Sequence, residues 1–67
     1  MTIGEKIKTK RLAAGLSRKQ LAELAGCHPQ SIRDWELGIR KPKYEQLSNI
    51  VEVLDIGYME LAKEVEL

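Results

Sequence analysis

Phenylalanine is absent from this chain of 67 residues, and its aromatic complement is one Trp and two Tyr. A core without many large rings must be assembled from Leu, Ile, Val and Ala, which suits packed helices. The single cysteine excludes an internal disulfide and points to a reducing compartment. With one histidine and one cysteine, no cluster has metal-ligand spacing. There is also no glycine-rich phosphate loop and no nucleophile–base constellation, so an enzyme, a metal and a cofactor are not expected. No apolar run approaches the length that crosses a bilayer, and "MTIGEKIKTKR" carries charge where a signal peptide is apolar. The expectation is a cytoplasmic protein with no membrane partner. Long linkers, internal repeats and low-complexity tracts are missing too, which leaves one domain over residues 1–67. A domain this short buries only about 60% of the surface its unfolded chain exposes.

What the chain does have is charge, unevenly placed. The net charge of +1 conceals +6 over residues 1–43 and −5 over residues 44–67. A basic surface aimed at a polyanion, with an acidic end turned away, accounts for this; so do two ordinary solvated faces.

Periodicity and caps mark five helices and no strand. The first opens on a capping box, Thr2 with Glu5, and carries Ile3, Ile7, Arg11 and Ala14 at spacings of three and four before Gly15 stops it. Arg11 is a charge in an otherwise apolar stripe. The second opens on Ser17 with Gln20, takes Leu21, Leu24 and Ala25 as its apolar side, and ends at Gly26, where a left-handed turn is easy. Ala22 lets a neighbouring helix approach closely. The third has Pro29 at its first position and His28 at the cap. At about 100° per residue, Ile32 and Trp35 point inward, Pro29, Gln30, Arg33, Asp34 and Leu37 point outward, and Glu36 lies at the border. Pro42 bars helix through the basic loop "IRKPK". The fourth helix presents Tyr44, Leu47, Ile50, Val51 and Leu54 on one face and ends at Asp55. Ile56 and Leu61 would staple a fifth over roughly 58 to 65. The fold class is therefore all-α, a compact bundle with short connections.

The spacing Leu16-Ser17, Leu21-Ala22, Gly26, Ile32, Trp35-Glu36, Gly38 and Pro42 resembles the phage-repressor, Cro-like (XRE-type) helix-turn-helix family. "YEQLSNIVEVLDIGYMELAK" is similar to that family's fourth and fifth helices. The resemblance implies a lambda-repressor-like five-helix domain, with its helix-turn-helix at about 17–37, that binds double-stranded DNA. The second helix would cross the backbone and the third would lie in the major groove. An outer face bearing an amide, a guanidinium and a carboxylate offers the groups that read base edges there.

Carried residue by residue, the resemblance implies base contacts from His28, Pro29, Gln30, Arg33 and Asp34. Gln30 is the strongest of these, since its amide can pair bidentately with adenine. A surface ion pair is the competing role for Arg33, and a cap filler that for His28. Pro29 offers only apolar contact. For Asp34, orienting Arg33 is preferred to accepting from cytosine. Arg18, Lys19, Arg40, Lys41 and Lys43 fall at phosphate-contact positions. Two of these depart from the family, Arg18 where Gln is common and Lys43 where a capping Ser is usual. Arg11 and Glu36 match a structural ion pair between the first and third helices. Cys27 stands where an apolar turn residue is typical and reads as a small core filler, as Trp35 reads as core. The resemblance also implies a homodimer, since one short helix reads few base pairs, with Ile56, Tyr58 and Met59 as contacts or else as parts of the monomer core. The functional expectation is a small transcriptional regulator, a repressor. The alternatives are an antitoxin that also grips a toxin, or a protein-interaction module that keeps the fold without reading DNA.

Overall fold

The computed structural model describes residues 2–54. Four helices follow in order: α1 (Ile3–Ala13), α2 (Arg18–Ala25), α3 (Pro29–Glu36) and α4 (Tyr44–Leu54). There is no strand among the described residues. The expected fifth helix and the expected dimer contacts Ile56, Tyr58 and Met59 lie outside them.

Local chemistry sets the helix starts. Both expected capping boxes form: the Thr2 and Ser17 hydroxyls accept from the N–H groups of Glu5 and Gln20, whose side chains return to the cap N–H groups. These bonds satisfy donors that a first helical turn leaves without partners. α3 starts differently. His28 occupies the cap with no side-chain bond, and Pro29 follows it. α4 has half a box, with the Gln46 side chain accepting from the Lys43 N–H at 3.1 Å.

The helix ends are equally local. After α3, Gly38 adopts φ +76°, which lets the Ile39 N–H reach the Asp34 carbonyl at 2.9 Å and the Gly38 N–H reach that of Trp35 at 3.3 Å. This is a Schellman closure, and it turns the chain back over the last turn of α3. α2 ends at left-handed Gly26, and the turn to α3 is Gly26-Cys27-His28.

The core is Ile7, Leu21, Ala22, Ala25, Ile32, Trp35, Leu47, Ile50 and Leu54, with Ile3, Leu16, Cys27, Val51 and Val53 packed against it. α3 packs on α1 and α2, and α4 closes the other side against the same two helices. Ile7, Leu21, Ile32 and Ile50 are wholly buried. Burying such a side chain contributes about 1.5–3 kcal/mol, so these four supply much of a small domain's stability.

Three expected positions are corrected. Leu24 is 62% exposed and Tyr44 69% exposed, so neither joins the core. Ala14, the C-cap residue of α1, is exposed as well. A helical wheel finds the buried face of each element but not how far the neighbours wrap around it.

Gly4 marks a close helix crossing. A Cβ there would overlap the Trp35 carbonyl oxygen and lie 2.9 Å from that of Glu36. The first turn of α1 therefore rests directly on the last turn of α3, and only glycine permits that approach.

Candidate nucleic-acid interface

α2, a three-residue turn and α3 form a helix-turn-helix whose second helix has a bare outer face. Pro29, Gln30, Arg33 and Leu37 are exposed along it, and His28 is exposed at its N-terminus. Behind this face sit Ile32, at 0% exposure, and Trp35, at 2%. Burial of that side leaves Pro29, Gln30, Arg33 and Leu37 facing water.

A buried ionic centre seats the helix. The Glu36 side chain, at the inner edge of α3, is fully buried, where the sequence had placed it at the border. Arg11 donates to it from Nε at 2.6 Å and from Nη2 at 3.1 Å, the two-point fork that matches guanidinium to carboxylate. Arg11 Nη1 donates to the Leu16 carbonyl at 2.8 Å, while the Leu16 N–H returns to the Arg11 carbonyl at 3.1 Å. Arg18 Nε adds a third bond to Glu36 at 3.1 Å. One carboxylate therefore ties α1, α2 and α3 together. No buried side-chain nitrogen or oxygen among the described residues lacks a hydrogen-bond partner, which is what a low-dielectric site demands.

The expected ion pair Arg11–Glu36 is present, and Arg18 joins it. Pairing of residues 18 apart follows from how α2 packs on α3, which no local spacing encodes. Arg18 keeps 35% of its side chain exposed while its Nε holds Glu36.

Asp34 is the clearest correction. The sequence sets it on the outer face with Gln30 and Arg33, yet it is buried, at 9% exposure. α3 by itself does point Asp34 outward; the chain returning after Gly38 covers it. Arg40 Nε donates to Asp34 Oδ2 at 3.1 Å, and Arg33 Nη1 approaches Oδ1 at 3.4 Å. The Arg33 contact matches the preferred orienting role, but Arg40 is the stronger partner and came from no spacing rule. Arg40 Nη2 also donates to Ser31 Oγ at 3.3 Å. The other expected phosphate contacts, Lys19 at the start of α2 and Lys41 and Lys43 in the loop, are exposed.

Cys27, in the turn, is partly buried, and that burial pushes its thiol up from the ordinary value. A thiol held protonated is a poor nucleophile and suits a packing role. Among the described residues no group of three or more His, Cys, Asp or Glu could hold a metal ion, and no helix is long and apolar enough to cross a membrane.

Short helix, glycine turn and polar second helix define the class as a helix-turn-helix domain. The helix-turn-helix family model matches residues 7–61, and the chain belongs to that family, of the XRE type. Two relatives agree with this. A protein of Rickettsia prowazekii (strain Madrid E), named an uncharacterized HTH-type transcriptional regulator, is 43% identical over 53 residues, covering 79% of this chain and 41% of its own length. A protein of Rickettsia conorii (strain ATCC VR-613 / Malish 7) with the same description is also 43% identical over 53 residues, at 79% and 42% coverage. The chain thus spans about two-fifths of the length of these relatives.

Proposed function

We propose that this chain is a sequence-specific DNA-binding domain of a small transcriptional regulator, acting in the cytoplasm as a repressor. α3 enters the major groove with Gln30 reading a base edge, Arg33 at its flank, and His28 and Pro29 at the leading end. Lys19, Arg18 and the 40–43 loop hold the phosphates on either side. Two copies bind half-sites about 34 Å apart, one duplex turn. Ile56, Tyr58 and Met59 are the proposed contacts between them.

The observation that carries this reading is the outer face of α3. It exposes Gln30 and Arg33, and a buried ionic centre on Glu36, bonded by Arg11 and Arg18, ties the helix to α1 and α2 from behind. A helix held this way loses little freedom on docking, which is how contacts become affinity. The family membership and the printed descriptions of both relatives support the same reading.

Substitution separates base reading from phosphate holding. Gln30→Ala should relax preference at one motif position and cost about 1–3 kcal/mol on the best site only. Lys41→Ala should weaken every duplex alike and lower the slope of log affinity against log salt by about 0.9. Equal losses on best and scrambled duplexes for Gln30→Ala would remove that residue from base readout.

A further inference from the structure

Resting on the reading above, we infer that Asp34 is a positioning residue: it does not read a base but holds Arg40 as a preset clamp for a DNA phosphate at the edge of α3.

Asp34 engages the returning loop at two levels. Its carbonyl accepts from the Ile39 N–H at 2.9 Å and the Arg40 N–H at 3.3 Å. Its carboxylate accepts from Arg40 Nε at 3.1 Å. The same residue thus fixes both the backbone and the side chain of Arg40. Ser31 Oγ, one turn earlier on α3, takes Nη2 at 3.3 Å. The guanidinium is therefore stretched along α3 between Ser31 and Asp34, beside the Gln30–Arg33 stripe.

Donors are left over for an anion. An arginine has five N–H groups in a fixed fork. Asp34 and Ser31 engage one on Nε and one on Nη2, and both on Nη1 have no partner among the described residues. The Arg40 side chain is 56% exposed, whereas that of Asp34 is 13% exposed. The carboxylate sits behind the cation rather than beside it. An arriving phosphate meets guanidinium first, and the repulsion from Asp34 acts at longer range through its partner. Planar forks of this kind suit phosphate oxygens better than a free lysine does.

Charge and geometry make opposite predictions for Asp34, which makes the proposal testable. Asp34→Asn removes a negative charge near DNA, so electrostatics alone would tighten binding. If Asp34 positions Arg40, the same change weakens binding, because the side chain must then be immobilised on docking. The expected loss is about two- to tenfold, the cost of ordering one long side chain.

The experiment titrates the full chain against its best selected duplex and a scrambled duplex over a range of salt. The variants are Asp34→Asn, Arg40→Gln, their double mutant and Arg40→Lys, each checked for folding by circular dichroism. Asp34→Asn should bind both duplexes more weakly with its selected motif unchanged, and the double mutant should bind no worse than Arg40→Gln. Arg40→Lys keeps the charge but loses the fork, so it should lose affinity while leaving the salt slope near that of wild type. It also tests the clamp should Asp34→Asn fail to fold. Tighter binding by Asp34→Asn, a changed base preference at one position, additive losses in the double mutant, or wild-type affinity in Arg40→Lys would each overturn the inference while leaving the DNA-binding reading intact. A wild-type chain that binds neither duplex would overturn both.

Discussion

Glu36 and Gly4 carry the most weight per residue. Truncating Glu36 leaves Arg11, at 6% exposure, charged and without its carboxylate, and breaking one side of a buried pair costs about 3–5 kcal/mol. Glu45 is exposed at the start of α4, where loss of a side chain costs about 0.5 kcal/mol or less. Thermal melts of Glu36→Ala and Glu45→Ala should therefore differ by at least about 10 °C, since about 1 kcal/mol moves a domain of this size by 4–8 °C; coincident melts would contradict the buried ionic centre. Gly4 makes an inverted prediction. In a free helix Gly→Ala stabilises by about 1 kcal/mol, but here the new methyl meets two backbone carbonyls of α3. Gly4→Ala should lower the melting temperature, and a raised one would mean that α1 does not press on α3 in this way.

Elements are where the sequence was most legible, and the reason is range. Capping boxes, the proline at the start of α3 and the glycine closures involve residues within about five positions, so Thr2, Ser17, Pro29, Gly26 and Gly38 announce their roles directly. Arg11 with Glu36 was legible through family resemblance rather than spacing. Asp34, Tyr44 and Leu24 were misplaced because a wheel treats each helix alone, whereas exposure is set by what folds over it. Nothing local marks Gly4 as a crossing point or Arg18 as a partner of Glu36, since both depend on how separate helices meet. The half-formed cap of α4 adds a prediction at this scale. Lys43→Ser would supply the hydroxyl that completes the box with Gln46, already bonded to the Lys43 N–H at 3.1 Å. Stability should rise by about 0.5–2 kcal/mol, while the salt slope for DNA falls by about 0.9 as one cation is lost. A drop in stability would show that Lys43 is not a poor cap, and an unchanged slope would show that it is not a phosphate contact.

For the whole molecule, on the proposed reading, the charge asymmetry and the seated helix serve one function. Ten of the eleven Lys and Arg fall in residues 1–43, the part that contains α1, the helix-turn-helix and the basic loop. Two of those arginines, Arg18 and Arg40, are anchored by carboxylates of α3 itself, so the cations flanking the outer face are registered to the helix they flank. Long-range attraction brings such a surface to a polyanion, and short-range hydrogen bonds then decide where it stays. The measurement that tests this most directly is selection of binding sites from a randomised duplex pool, with the enriched site titrated against its scramble at two salt concentrations. The account predicts an enriched two-fold symmetric site whose preference over the scramble survives the higher salt. No enrichment, with weak binding that disappears as salt rises, would contradict base reading by α3 and leave the helix-turn-helix as a scaffold for a protein partner.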